Sequence, residues 1–97
     1  MAAYIMVQLT INDPEKFQAY AAQVPATIEK FGGRYMVRGG DYEVLEGEWP
    51  QRRHVVLEFP DKETARAWYD SEDYAPLKDM RFAASDGNAI LIEGYDP

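Results

Sequence analysis

The chain holds a single histidine, His54, which stands four positions before Glu58. Histidine changes charge near neutral pH without help from its surroundings, so His54 is the first candidate for a general base. On an extended strand the two residues project from the same face, because side chains alternate with a period of two. Their Cα atoms would then be about 13 Å apart, too far for direct contact. The competing reading, a polar pair that fills an interface, is preferred because buried polar groups usually have structural partners. The second candidate catalytic group is Arg81. Tyr74, Leu77 and Arg81 succeed one another at offsets of three and four, which on a helix puts the guanidinium on a stripe with apolar residues. Such a cation serves either a carboxylate, with Glu58, Asp73 or Asp79 as the options, or a ligand, and the structural pairing is preferred. Four aromatic residues, Tyr20, Trp68, Tyr69 and Tyr74, can line a pocket for a flat organic molecule. Arg81 or Arg34 would supply the cation for its carboxylate or enolate. Aromatics at helical spacing pack cores more often than they bind ligands.

Other chemistries find no support in the residues. Ser71 follows Asp70 with no G-x-S-x-G elbow around it, so its hydroxyl is expected to open a helix. Gly32-Gly33 and Gly39-Gly40 lack the spacing of a phosphate loop and read as turns. There is no cysteine, which excludes disulfides, iron–sulfur clusters and thiolate zinc sites. One histidine and scattered carboxylates do not make a convergent ligand set. Neither metal nor cofactor is expected.

The elements that must position these groups follow from the hydrophobic pattern. Residues Ala3 to Ile11 alternate, with Ala3, Ile5, Val7, Leu9 and Ile11 on one face, and predict a strand. Asp13-Pro14 is an N-cap followed by the favoured first helical position. Phe17, Tyr20, Ala21, Val24, Ile28 and Phe31 then form one apolar stripe that ends at Gly32-Gly33. Pro25 should kink this helix, because it removes the bond to the carbonyl of Ala21. Arg34 to Val37 predicts a second strand, bulged or stopped at Gly39-Gly40, with Tyr42 to Leu45 continuing beyond. A hairpin loop over Glu46 to Gln51 leads to a third strand, Arg53 to Phe59. The run from Glu43 to Glu48 is expected in solvent. Asp61 caps a helix through Tyr69 with Ala65, Trp68 and Tyr69 inward. A further helix is predicted from Asp73 to Phe82, and Asp86-Gly87 turns into a last strand, Asn88 to Glu93.

This order is a ferredoxin-like βαββαβ arrangement, an α+β fold with a four-stranded antiparallel sheet and the helices on one face. At 97 residues the chain fits one domain, residues 1–97, small enough for a partner subunit to add useful burial. Ile5, Val7, Leu9, Val55, Leu57 and Phe59 suit the helix-covered face. The other face carries Tyr4, Met6, Gln8, Thr10, His54, Val56 and Glu58, too apolar for open solvent and too polar for a monomer's interior. A homodimer through that sheet face, forming a dimeric α/β barrel, satisfies both requirements. A hydrophobic share of 46% excludes disorder, and no run approaches a membrane span. The net charge of −7 opposes nucleic acid and anionic membranes as partners. The first residues lack a basic segment, so Met1 is read as the mature start and the location as cytoplasmic.

The segment Arg53 to Pro60, R-x-V-x-x-E-F-P, with A-x-x-W-Y-x-S-x-x-Y from Ala65 to Tyr74, Arg81, and GGDYEVLEGEW from Gly39 to Trp49, resembles the bacterial domain of unknown function 1330 family along essentially the whole chain. The resemblance implies membership of the dimeric α/β barrel superfamily. That superfamily includes cofactor-free monooxygenases, haem-degrading enzymes, lactone isomerases and binding proteins, with ligands commonly between sheet and helices. The haem-degrading relatives would need a helical histidine, and a strand position for His54 counts against haem. Fold analogy chooses no further. The expectation is a homodimeric domain binding a small organic ligand, or a cofactor-independent enzyme of monooxygenase or isomerase type. Its rival is a non-catalytic structural or stress-associated module in which the same residues only pack.

Overall fold

A computed structural model of the chain describes residues 1–50 and 52–97. Its elements are β1 (Ala3–Ile11), α1 (Pro14–Lys30), β2 (Arg34–Arg38), β3 (Arg53–Phe59), α2 (Lys62–Tyr69), α3 (Ala75–Ala84) and β4 (Ser85–Glu93). The four strands form one antiparallel sheet in the order β2-β3-β1-β4. This is the expected ferredoxin-like fold. No described helix is long and apolar enough to cross a membrane.

The helices begin where their caps say they should. Asp13 accepts from the Lys16 backbone N–H at 3.1 Å, and Pro14 occupies the first helical position. Asp61 accepts from the Thr64 N–H at 2.7 Å, and hydrogen bonding to Thr64, through its side chain first and its backbone second, holds the Asp61 carboxyl below the usual range. Helix α1 ends at Lys30, where the N–H groups of Gly32 and Gly33 donate to Glu29 and Ile28 carbonyls. Pro25 does not interrupt it. The carbonyl of Ala21, which loses its helical donor to the proline, instead accepts from Arg38 Nη2 at 2.9 Å. A strand residue therefore repairs a helical defect, which ties β2 to α1.

The sheet alternates as its pattern demands. Ala3, Ile5, Val7 and Leu9 pair with Phe59, Leu57, Val55 and Arg53 across β1 and β3, and the aliphatic and aromatic members form the core with α1, α2 and α3. Ala65 and Trp68 are buried and Tyr69 half-buried, while Tyr74, Leu77 and Arg81 are all buried. On the opposite face Tyr4, Met6, Gln8 and Thr10 of β1 meet Glu58, Val56 and His54 of β3 and Ile92, Ile90, Asn88 and Asp86 of β4. Here apolar groups stay exposed: Met6 at 43%, Ile90 at 55% and Ile92 at 46%.

Several boundaries differ from expectation. Strand β2 runs to Arg38 and stops at Gly39-Gly40, one of the two expected outcomes, while its register shift falls earlier, between Tyr35 and Val37. Residues Tyr42 to Leu45 form no strand. Strand β2 lies at the sheet edge, and beyond it no neighbour offers the backbone partners that would hold those apolar residues extended. The segment Glu43 to Glu48 is exposed as expected. Gln51, the end of the expected loop, lies outside the described residues. The third helix starts at Ala75, two residues late, because Ser71 holds the preceding turn: its hydroxyl donates to the Trp68 carbonyl at 2.7 Å and accepts from the Tyr74 N–H at 3.2 Å. Asp86-Gly87 is no turn. Strand β4 opens at Ser85 directly after α3, and Gly87 sits within it opposite Leu9.

Candidate functional site

Five of the six residues singled out for chemistry converge on the helix-covered side of the sheet. Tyr20 comes from α1, Trp68 and Tyr69 from α2, Tyr74 from the turn before α3, and Arg81 from the last turn of α3. They share the wall of one cavity with Val55 and Leu57 of β3. Its volume is about 30 Å³, room for roughly two water molecules.

The aromatic wall is tightly built. Trp68 and Tyr74 lie with ring centroids 4.0 Å apart and planes 30° from parallel, and Phe59 and Tyr69 close the cluster at 5.5 Å from Trp68 and 6.0 Å from Tyr74. The Trp68 indole N–H donates to Thr27 Oγ1 at 3.0 Å, which satisfies the one polar atom that burial would otherwise strand. Lys78 Nζ stands 4.0 Å over the Tyr69 ring and donates to its carbonyl. At the inner end the hydroxyls of Tyr20 and Tyr74 are 2.8 Å apart and share one hydrogen bond.

Burial raises both phenols, Tyr20 far above its ordinary range, where the neighbouring Tyr74 adds to the rise. The positive charge of Arg81 pulls both partly back. A phenol whose folded pKa exceeds its unfolded value of 10.0 stabilises the fold fully below that value. That contribution is lost as the pH rises above it, because the unfolded chain ionises first. Urea midpoints measured from neutral to strongly alkaline pH should therefore fall once tyrosine begins to titrate. A Tyr20→Phe/Tyr74→Phe double variant should flatten that fall. An equal alkaline loss in the variant would mean that these hydroxyls are not the buried acids.

Arg81 is 7% exposed and has no carboxylate partner among the described residues. The structure withdraws each expected one: Glu58 lies on the opposite face of the sheet, Asp73 pairs with Lys30 at 2.6 Å, and Asp79 is exposed. Arg34 is also not at the cavity. Its Nε donates to Glu58 Oε1 at 2.8 Å while the Tyr4 hydroxyl donates to Oε2 at 3.1 Å. Those two bonds hold the Glu58 carboxyl below its usual range.

His54 is not brought to the cavity either. It lies on the open face with Glu58, as its spacing requires, and its Nε2 accepts from the Trp49 indole N–H at 3.0 Å. Tyr42 packs edge-on against its ring at 4.7 Å. Trp49, Met6, Gln8 and Ile90 flank it in a shallow depression of the open face.

Three further residues that bring polar groups to the cavity wall were not candidates from the sequence: Tyr35, Arg38 and Arg53. Arg53 was legible by parity, since it stands two, four and six positions before Val55, Leu57 and Phe59. Arg38 was not, because the register shift in β2 puts Tyr35 and Arg38 on one face three positions apart.

A family model described as "Domain of unknown function (DUF1330)" matches residues 2–95. No curated protein matches the chain. Among solved structures, a protein of unknown function from Rhodopseudomonas palustris superposes with a TM-score of 0.79 at 18% identity, covering 99% of this chain and 84% of that one. SnoaB, a cofactor-independent oxygenase from Streptomyces nogalater, superposes with a TM-score of 0.64 at 15% identity, covering 99% and 95%. A dimeric ferredoxin-like protein of unknown function from Thermobifida fusca does so with a TM-score of 0.58 at 15% identity, covering 96% and 91%. At these identities the likeness shows a shared fold.

Proposed function

The chain belongs to the domain of unknown function 1330 family, and from that premise we propose that residues 1–97 act as one homodimeric, cytoplasmic, small-molecule-binding domain with its ligand site in the cavity between sheet and helices. One observation carries this reading: three helices and the turn before the last of them deliver Tyr20, Trp68, Tyr69, Tyr74 and Arg81 to the same wall. A cation and a phenol pair among apolar rings is the composition of a site for a small organic molecule. The reaction class to assay is cofactor-independent oxygenase or isomerase chemistry, the former suggested by the similarity to SnoaB. In that role Arg81 and the phenol pair would face the ligand. Any catalytic part for His54 belongs to the open face, beside Trp49. The direct test is mass spectrometry of the natively purified protein for a retained small molecule, followed by its crystal structure. Density for that molecule against Tyr74 and Arg81 supports the reading, and density elsewhere ends it.

The subunit partner is proposed to cover the open face, where Met6, Ile90 and Ile92 remain exposed on the four-stranded layer. Sedimentation should find a dimer. Met6→Lys, which places a charge at the centre of that layer, should weaken it at least about tenfold. A monomeric parent, or an undiminished dimer in the variant, would remove this interface.

The rival reading, a non-catalytic dimeric module, draws on the small cavity and the hydrogen bond between the Tyr20 and Tyr74 hydroxyls. It requires that no ligand be retained and that the cavity residues affect stability alone.

A further inference from the structure

The cavity wall is rich in hydrogen-bond donors and short of acceptors. Arg38, Arg53 and Arg81 all line it, and no aspartate or glutamate does, in a chain whose net charge is −7. With 17 acidic against 10 basic residues in the chain, a wall of three arginines and no carboxylate reverses the overall balance. The ion pairs of the described residues, Lys30–Asp73, Arg34–Glu58 and Arg66–Asp70, lie away from the cavity. Arg81 is nine-tenths buried without a counter-charge, and Arg53 Nε is buried with no hydrogen-bond partner. The Tyr20–Tyr74 bond uses one of two phenol protons, and neither hydroxyl bonds any other described group. Buried donors of this kind are ordinarily satisfied, and a buried guanidinium is costly without an anion.

The arginines are also held in place. The Arg53 guanidinium lies against Gly39, where an added Cβ would stand 2.3 Å from Nη1 and 2.5 Å from Cζ. Gly39 has φ +68°, so its backbone favours glycine, and any added Cβ would have to displace the Arg53 guanidinium. Arg38 is fixed at the exposed rim by its bond to the Ala21 carbonyl and by the Tyr35 ring 4.6 Å beneath it. The remaining wall, with Phe17, Val24 and Leu57, is apolar.

We propose that this cavity takes an organic carboxylate, with Arg81 and Arg53 as its anion-binding pair and the apolar wall receiving its body. The proposal rests on the reading of the cavity as a ligand site and adds the class of ligand. A space of about 30 Å³ holds the two oxygens of a carboxylate, and a longer body would have to displace Arg38 from the Ala21 carbonyl at the rim.

The test is calorimetric titration of the full-length protein with propionate and benzoate against propionamide and benzamide at constant ionic strength. Each amide keeps the shape of its acid and lacks the charge. The acids should bind at least tenfold more tightly than their amides. Arg81→Met and Arg53→Met should each weaken the acids at least tenfold and leave amide binding unchanged. Gly39→Ala, by displacing the Arg53 guanidinium, should weaken the acids as Arg53→Met does. Arg53 is only half-buried, so its variant keeps the test sharp if Arg81→Met fails to fold. Amides binding as tightly as acids, or acids binding both methionine variants as tightly as the parent, would overturn the carboxylate assignment and leave the cavity as a neutral site. Binding of none of the four compounds would overturn the assignment and the cavity reading together.

Discussion

Trp68→Ala is expected to lower the free energy of unfolding by about 3–5 kcal/mol, the cost of truncating a large aromatic in a well-packed core. The indole is 2% exposed and sits between Phe59 and Tyr74, with centroids at 5.5 and 4.0 Å. Deleting it would join a new void to the existing cavity and free Tyr74, whose hydroxyl completes the pair with Tyr20. The lost hydrogen bond is the smaller part. Thr27 Oγ1 still donates to the Val24 carbonyl at 2.8 Å, so no buried donor is orphaned when the indole goes. Urea denaturation with an unchanged slope would report the loss as stability alone. A loss under about 1 kcal/mol, the level of an ordinary surface change, would mean the ring is not a core member. Trp68→Ala should also impair any ligand binding in the cavity, so it cannot separate the two functional readings. The arginine variants can.

Gly87→Ala is the second substitution with a large expected effect, about 1–3 kcal/mol or more, because it overpacks a strand pairing. The cause is space and not backbone conformation, since a Cβ at Gly87 would fall 2.0 Å from the Gln8 carbonyl oxygen and 2.9 Å from Leu9 Cδ2. A carbonyl in the middle of β1 cannot swing aside as a flexible side chain would. The strands must therefore separate around Leu9 and Gly87. Hydrogen exchange should report this as faster opening of β4 amides near residue 87. Gly40→Ala is the control, since a Cβ there meets nothing within 4 Å. It should be neutral or stabilising by up to about 1 kcal/mol through the unfolded chain. Equal stability for both variants would mean that β4 does not pair with β1 at this register.

The order of elements and the division of the sheet into two faces were legible in the residues because both are local. Alternation along Ala3 to Ile11 and Arg53 to Phe59, the Asp13-Pro14 and Asp61 caps, and the stripe of Tyr74, Leu77 and Arg81 each report one element's own geometry. Parity alone put His54 and Glu58 together on the open face and could have put Arg53 on the covered one. The convergence of Tyr20, Trp68 and Tyr74 was foreseeable only as a consequence of helices sharing one face.

Only the tertiary structure decided which charges meet. Glu58 goes to Arg34 and Tyr4 rather than to Arg81, because partner choice depends on which side of a sheet a side chain leaves, and on what other strands present there. The register shift at Met36 turned Arg38 toward the cavity, and the carbonyl vacated by Pro25 then held it. Neither event has a signature within its own stretch of chain. A bulge conveys its parity change only through the pairing of β2 with β3, and the Ala21 carbonyl finds its donor 17 residues on. Local periodicity encodes what each element can bury. The cavity, with its cations and without carboxylates, exists only where the buried faces of separate elements are brought together.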